Sequence, residues 1–263
     1  MKNIRVPIRS SLLALAAGML LSPAALAELT NDTLLGAGAR DRPAYDGSNS
    51  QLVEPVPVIR YLGDRWFVRS TQGVLEGGAR ILLAPGLHLG AQLAYEPGRI
   101  TNDSDFLEAH NVPGLKRGGS YGAHVEWDHK FGIVPITLLG RARQNIDSDR
   151  GLQADLRLSV GVLQAGPFGA GLFTQGTWAN AKSTNSFYGI TSAQAVSTGL
   201  PAYSAGSGLL FHSYGLLWSV DLSKNWVIVG SAEARRLHGD AASSPLAERK
   251  TNRYLSAGIA YRF

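Results

Sequence analysis

The sequence predicts an all-β fold class: a transmembrane antiparallel up-and-down β-barrel of about twelve strands, with short periplasmic turns and long extracellular loops. Three observations support it. Apolar and polar residues alternate with period two along most of the chain, short turns alternate with long polar loops, and the last alternating stretch ends on an aromatic residue.

The first 27 residues have the pattern of a cleaved secretory signal peptide. Three basic residues precede an apolar run over residues 12–21, and Ala25-Leu26-Ala27 supplies the small residues of a cleavage site. A membrane anchor needs about 20 apolar residues, and this run is shorter. We therefore expect residues 1–27 to be removed and residues 28–263 to form a single outer-membrane β-barrel domain.

Composition limits the remaining classes of protein. Removing Lys2, Arg5 and Arg9 with the signal peptide lowers Lys plus Arg from 25 to 22 against 20 acidic residues, so nucleic acid is not expected as a partner. The chain has no cysteine and therefore no disulfide. A chain without a second long apolar run can cross a membrane only with strands closed into a barrel.

Period-two alternation is strongest in three stretches, residues 87–96, 120–128 and 152–162. Each places apolar side chains on one face and polar or small side chains on the other. Weaker stretches complete the even number of strands that a bacterial barrel requires. They are residues 34–40, 55–61, 65–70, 73–83, 133–145, 168–179, 206–221, 226–237 and 255–263.

The connections fall into two classes that alternate along the chain. Tight turns are expected at residues 63–64, 84–85, 130–132, 165–167 and 223–225. Long loops rich in Gly, Ser, Asn or Pro are expected at residues 41–54, 98–118, 180–205 and 238–251. Short turns on the periplasmic rim and long loops outside are typical of outer-membrane barrels.

The C-terminal strand resembles an assembly signal. Ser256, Gly258, Tyr261 and Phe263 match the polar-x-Gly-x-x-aromatic-x-aromatic pattern that the outer-membrane assembly machinery reads. Every second residue of 255–263, counted back from Phe263, is apolar, so the strand has one face suited to outer-membrane lipid.

Five charged residues are expected to face the lumen on neighbouring strands: Glu126, Arg141, Arg143, Asp155 and Arg157. Folding the hairpin near residue 147 brings Arg141 opposite Asp155, so we expect oppositely charged pairs that cross-link the inner wall. The alternative is a constriction that selects solutes.

No catalytic or cofactor site is expected. His238, Asp240 and Ser243 are close in sequence, but they lie in a predicted extracellular loop with no core to fix a catalytic geometry. His88 and His124 face the predicted lumen without the tight spacing of metal ligands.

The longest loop, residues 180–205, concentrates apolar residues that a disordered tether does not need. We expect it to be ordered and to fold inward over the mouth of the barrel. Ser192 is expected to start a helical turn with Thr191 as its cap.

Several motifs resemble the MipA/OmpV family of outer-membrane proteins, also called MltA-interacting proteins. They are Gly36-Ala-Gly followed by Pro43-x-Tyr45-x-Gly47, Pro55-x-Pro57, YEPGR at residues 95–99, YGITSAQAVSTGLPAYSAG at residues 188–206 and LHGDAASSP at residues 237–245. The resemblance covers essentially the whole mature chain. It implies an outer-membrane barrel that brings together a lytic transglycosylase and a bifunctional murein synthase as a scaffold.

Three functional classes compete: scaffold, narrow or gated diffusion pore, and enzyme, the last without a catalytic constellation. A surface-exposed interaction protein is a further possibility, since other family members are described only as surface proteins. For the scaffold, Gly63, Asp64 and Lys130 in the periplasmic turns are candidate contacts, acting jointly with residues 28–33.

Overall fold

A computed structural model describes residues 32–71 and 73–263, so the predicted signal peptide, residues 1–27, lies outside the described residues. Twelve antiparallel strands form a closed barrel in which each strand pairs with its neighbours in sequence and β1 pairs with β12. The predicted fold class is confirmed. The strands are β1 (Leu34–Pro43), β2 (Gln51–Leu62), β3 (Trp66–Thr71), β4 (Val74–Ala84), β5 (Leu87–Glu96), β6 (Gly118–Phe131), β7 (Val134–Asn145), β8 (Leu152–Ala165), β9 (Phe168–Ala179), β10 (Gly208–Asp221), β11 (Trp226–Leu237) and β12 (Thr251–Arg262).

The barrel wall has the polarity of a membrane protein rather than of a soluble one. Leu93 on β5 is 65% exposed, whereas Glu76 on the neighbouring strand β4 is 1% exposed. The same inversion holds on β8, where Leu156 is exposed and Asp155 and Arg157 are buried. Apolar residues therefore face outward and polar residues face inward, as a barrel surrounded by lipid requires.

The two rims of the barrel differ in the length of their connections. The terminal rim holds both ends of the described barrel and five turns of two to four residues, at 63–65, 85–86, 132–133, 166–167 and 222–225. The loop rim holds the connections 44–50, 72–73, 97–117, 146–151, 180–207 and 238–250. The predicted alternation of short turns and long loops is confirmed, with one short exception at residues 72–73.

Two predicted connections are corrected in their bounds. The loop expected at 41–54 is only residues 44–50, because β1 and β2 remain paired up to Pro43 and Gln51. The turn expected at 130–132 is residues 132–133, because Lys130 pairs with Pro135 inside the β6–β7 hairpin. Gly132 has a φ of 63°, which permits this tight reversal.

Four short α-helices lie in the loops of the loop rim: α1 (Asp105–Ala109), α2 (Ala181–Tyr188), α3 (Ser192–Thr198) and α4 (Gly239–Ser243). None of the helices in the described part of the chain has the length and hydropathy of a membrane span. Thr191 caps α3 in a capping box with Gln194, which confirms the predicted cap and satisfies backbone donors of the first turn.

Candidate functional site

Charged side chains meet inside the barrel around Arg141. Its Nε donates to Asp155 on the neighbouring strand β8 at 2.8 Å. Its Nη1 donates to both carboxylate oxygens of Glu76 at 3.1 Å. Since β4 and β7 are not neighbours, the Arg141–Glu76 contact crosses the lumen. All three side chains are almost fully buried.

A second contact crosses the lumen between β3 and β6. Arg69 on β3 contacts Glu126 on β6, and the Nε of Arg69 also donates to Glu76 at 2.6 Å. Arg80 lies 4.0 Å from the Glu126 carboxylate. Separating two buried, oppositely charged side chains leaves each as a desolvated ion. The paired side chains are therefore held in position. We call Arg69, Glu76, Glu126, Arg141 and Asp155 the lumen network.

All five charges that the sequence places in the lumen are buried inside the barrel. Arg141 is opposite Asp155 in the β7–β8 register, which confirms the predicted pair. Arg143 lies 3.1 Å from Glu96 and 3.5 Å from Asp155. The Arg157 side chain is also buried, and its guanidinium lies 3.9 Å from the centre of the Phe173 ring, which offers a face for a cation.

Two members of the lumen network, Arg69 and Glu76, were missed by the sequence reasoning. They face each other in the β3–β4 register. A two-residue connection at 72–73 requires this pairing, because residues at equal distance from the turn lie opposite each other. The turn at Gly73 was therefore a usable signal.

Above the lumen, four loops of the loop rim pack into one apolar cluster, which we call the cap. Its buried residues are Ala44 and Tyr45 from the first loop, Leu107 and Val112 from the second, Ile190 from the third and Leu246 from the last. The loops are also joined by hydrogen bonds, such as Tyr45 Oη to the Leu246 carbonyl at 2.8 Å. The cap is thus a folded unit rather than a set of independent loops.

The cap is attached to the barrel interior through Asp46. Arg235 on β11 donates to Asp46 at 2.9 Å, and the Tyr254 hydroxyl on β12 also contacts its carboxylate. Tyr188 on α2 donates to the Asp46 carbonyl at 3.1 Å. Burial, and then the charge of Asp46, raise the pKa of the Tyr188 hydroxyl well above its ordinary value, so it remains a donor.

The predicted inward fold of the longest loop is confirmed. Phe187 and Tyr188 line one small cavity together with the lumen residues Arg141, Gln175 and Thr177. The loop is closed on itself by the backbone pair Ile190–Tyr203. The loop therefore lies directly above the lumen network.

The residues considered for catalysis make structural contacts in the cap. His238 Nε2 lies 2.5 Å from His212 Nδ1, and Asp240 accepts from the Gly206 amide at 2.6 Å. The Ser243 hydroxyl donates to the Gly239 carbonyl at 3.2 Å. In these bonds the His238 ring contacts His212 and the Ser243 hydroxyl contacts Gly239. They do not join His238 to Ser243, as a catalytic triad would require.

The histidines that face the lumen were the candidates for a metal site. His124 is buried with its ring edge-on to Phe67, the two ring centres being 4.8 Å apart. Within residues 32–71 and 73–263, no group of three His, Cys, Asp or Glu side chains is placed to hold a metal ion.

Three residues of the proposed assembly signal, Ser256, Gly258 and Tyr261, lie on β12, and Phe263 follows the strand at the terminal rim. The Phe263 amide donates to the Thr33 carbonyl at 3.1 Å, and its ring is 73% exposed next to Tyr261. Ser256 and Gly258 belong to the inward face of the same strand, where Gly258 is opposite Gly38. The geometry leaves the two aromatic rings outside the barrel.

The candidate contact residues Gly63, Asp64 and Lys130 also belong to the terminal rim. Asp64 and Lys130 are exposed, while the Gly63 carbonyl accepts from Arg80 at 2.8 Å. Gly63 and Asp64 lie in the β2–β3 turn and Lys130 lies in the β6–β7 hairpin, so the structure places them in separate connections of one rim.

Comparison with known proteins agrees with this architecture. A family described as "MltA-interacting protein MipA" matches residues 35–263. The "MltA-interacting protein" of Escherichia coli (strain K12) is 25% identical over 265 residues, which cover 95% of this chain and 98% of that protein. The protein of the same name from Shigella flexneri matches equally.

Two solved structures show a similar fold at low sequence identity. The COG4313 outer membrane channel from Pseudomonas putida F1 has a TM-score of 0.50 and 10% identity, covering 89% of this chain and 96% of that one. LpxR from Salmonella typhimurium has a TM-score of 0.50 and 8% identity, covering 88% and 100%. Together with the family match over residues 35–263, the closed twelve-stranded architecture shows that this chain is an outer-membrane β-barrel protein and belongs to the MltA-interacting protein MipA family.

Proposed function

We propose that this protein is a closed outer-membrane barrel whose terminal rim faces the periplasm and binds a lytic transglycosylase. In this scaffold role it brings that enzyme close to a bifunctional murein synthase. Residues 1–27 direct export and are then removed, and the barrel acts by binding rather than by catalysis. The names of the Escherichia coli and Shigella flexneri relatives support the choice of the first partner.

The observation that carries the proposal is the double closure of the lumen. The Arg141–Glu76 and Arg69–Glu126 contacts cross the barrel, and the cap lies above them. A barrel closed in this way offers no wide path for solutes. Its surfaces, rather than its interior, are then the parts that can act on other molecules.

The terminal rim offers exposed side chains in several turns, but each turn is small. Asp64, Lys130, Ile133 and Lys224 are exposed at the terminal-rim ends of three separate hairpins, and Ile133 is 74% exposed. A standard interface takes about 800 Å² and roughly 20–30 residues from each partner. A partner must therefore contact several turns at once, and each turn contributes only part of the affinity.

The test is co-purification of the full barrel from detergent extracts with a purified lytic transglycosylase. A joint variant, Asp64→Ala with Lys130→Ala, Ile133→Ala and Lys224→Ala, removes exposed side chains from three hairpins at the terminal rim. We expect it to lose most of the capture, whereas each single substitution reduces capture only slightly.

The matched control carries Lys116→Ala, Asp149→Ala, Lys182→Ala and Val196→Ala on the loop rim, where these four side chains are also exposed. It should capture the enzyme as the unmodified protein does. Equal capture by both quadruple variants, or no capture by the unmodified barrel, would show that the terminal rim is not the docking surface.

A further inference from the structure

The barrel wall is joined by only a short ladder between β2 and β3. Within the described residues, the β2–β3 ladder holds only the pairs Arg60–Arg69, Tyr61–Val68 and Leu62–Phe67. On its other side, β2 pairs with β1 as far as Gln51. The stretch from Ile59 to Gln51 is about 26 Å long at the usual rise per residue, so β2 has a long edge on the side facing β3.

This edge has the sequence of an edge strand. The Ile59 amide and carbonyl both bond to the Ser70 hydroxyl on β3, at 3.1 and 3.4 Å. Backbone groups of every second residue point the same way along a strand, so Pro55 and Pro57 also direct their nitrogens toward the gap. Proline has no N–H, and it is confined to strand edges for that reason. Residues 55 and 57 therefore cannot extend the ladder on this side.

A cavity of about 400 Å³ lies behind the gap, within the size range of small-molecule sites. Its lining includes the outward-facing residues Pro57 and Tyr95 and the inward-facing residues Val58, Val229 and Ser256. A cavity lined by both faces of the wall opens sideways through it. We call the gap and this cavity the side opening.

Both charged and apolar residues line the cavity. Arg40 and Arg42 lie toward the loop rim end of β1, whereas Val58 and Val229 lie toward the terminal rim and pack on the Leu34 cluster. Five arginines and two glutamates line it in all: Arg40, Arg42, Arg60, Arg69 and Arg117, with Glu54 and Glu233. The excess of arginines over glutamates therefore favours an anion.

Two of these arginines are placed to meet a ligand. Arg40 is buried with its guanidinium 4.8 Å from the centre of the Tyr254 ring. Arg69 is more than nine-tenths buried, and its Nη2 atom has no hydrogen-bond partner among the described residues. A buried donor left unpaired is costly, and a bound anion would satisfy it.

We propose that the side opening binds one acyl chain with an anionic headgroup, taken from the membrane layer next to the loop rim. The headgroup, a phosphate or a carboxylate, contacts Arg40 and Arg69, and the chain extends along Val58 and Val229. Arg40 lies nearer the loop rim than Val58, as the headgroup does relative to the chain in that layer. This site is separate from the turns of the terminal rim.

The test uses the full barrel in neutral detergent with sixteen-carbon acyl probes that carry a photoreactive group near the chain end. One probe has a carboxylate, one is a lysophosphatidic acid and one is the uncharged alcohol. After irradiation, we expect labelled peptides from β2 and β11, with the alcohol labelling roughly tenfold less because it lacks the charge-assisted bonds. Stronger labelling by the phosphate or by the carboxylate identifies a phospholipid or a fatty acid as the source.

Two variants separate the site from general contact with lipid. Val58→Trp fills the cavity, and Arg40→Gln removes the positive charge that binds the headgroup. Both variants should lose most of the labelling. The matched control, Leu156→Trp, adds the same ring on the lipid-facing side of β8 and should label normally. Heat-dependent migration on gels confirms that each barrel is folded, and Arg40→Gln decides the test if Val58→Trp does not fold.

Labelling spread evenly around the outward face, or labelling that neither Val58→Trp nor Arg40→Gln reduces, would overturn the proposed site. Equal labelling by the alcohol would overturn the role of the arginines.

Discussion

Replacing Arg141 with methionine removes the charge that joins β4, β7 and β8. Methionine keeps most of the length of the side chain, so the change tests the charge rather than the volume. In the variant, Asp155 loses partners at 2.8 Å and Glu76 loses partners at 3.1 Å. Both carboxylates remain buried in the lumen.

The size of the effect follows from the partners that remain. Removing one member of a buried ion pair costs about 3–5 kcal/mol, because the other charge is left desolvated. Here Glu76 keeps Arg69 at 2.6 Å, and Asp155 keeps Arg143 at 3.5 Å. We therefore expect the lower end of the range, about 3 kcal/mol in the free energy of unfolding.

The assay is urea unfolding of the barrel in phospholipid vesicles, followed by the fluorescence of its five tryptophans. Arg236→Met, which removes an exposed arginine from β11, is the control and should cost less than about 0.5 kcal/mol. The double variant Arg141→Met with Asp155→Leu should recover part of the loss, because it removes one of the two abandoned carboxylates.

A loss below about 1 kcal/mol for Arg141→Met would refute the reasoning, because a contact of that strength is typical of solvated surface pairs. The same conclusion would follow if the Arg236→Met control cost as much. Either result would mean that water fills the lumen around these charges.

Three further predictions concern the cap and the C-terminus. Leu107→Ala removes a fully buried side chain from the cap and should lower its stability by roughly 2–5 kcal/mol. Proteolysis within residues 180–207 should therefore accelerate, and an unchanged cutting rate would contradict the packing. The pKa of His238 lies below its ordinary value of 6.5 because burial and then the neighbouring His212 disfavour the imidazolium. As the pH falls, the unfolded loop therefore binds the proton before the folded loop does, so the stability of the cap is kept above pH 6.5 and decreases below it. Proteolysis at residues 238–250 should accelerate below this pH, and the His238→Gln variant should lack this pH dependence. Deleting Phe263 should reduce the amount of heat-modifiable barrel in the outer membrane, and normal accumulation would argue against the assembly signal.

Much of the wall could be predicted from alternation alone. The bounds of β5 and β9 follow the predicted stretches residue for residue, because period two reports directly which side chains face lipid. Hairpin geometry also predicted the Arg141–Asp155 pair, since neighbours in an antiparallel hairpin are set by the connection between them.

The contacts across the lumen could not be predicted in the same way. Alternation shows that Glu76 and Arg141 face inward, but it does not show which strands lie across the barrel from each other. The cap has no periodic pattern, and its order depends on apolar residues from four separate loops. The side opening could not be predicted from the sequence, because Pro55 and Pro57 fit an ordinary strand. Only the short length of β3 shows that β2 has an edge there.

We propose that the lumen is closed, so that the protein works through its surfaces. Single-channel recording of the purified full barrel in a planar bilayer tests it most directly. We expect no stepwise conductance from the unmodified protein. We expect steps after deletion of residues 181–206 together with Arg141→Met, which removes one loop of the cap and the Arg141–Glu76 contact across the lumen. Regular conductance steps from the unmodified barrel would contradict the claim and identify the protein as a pore.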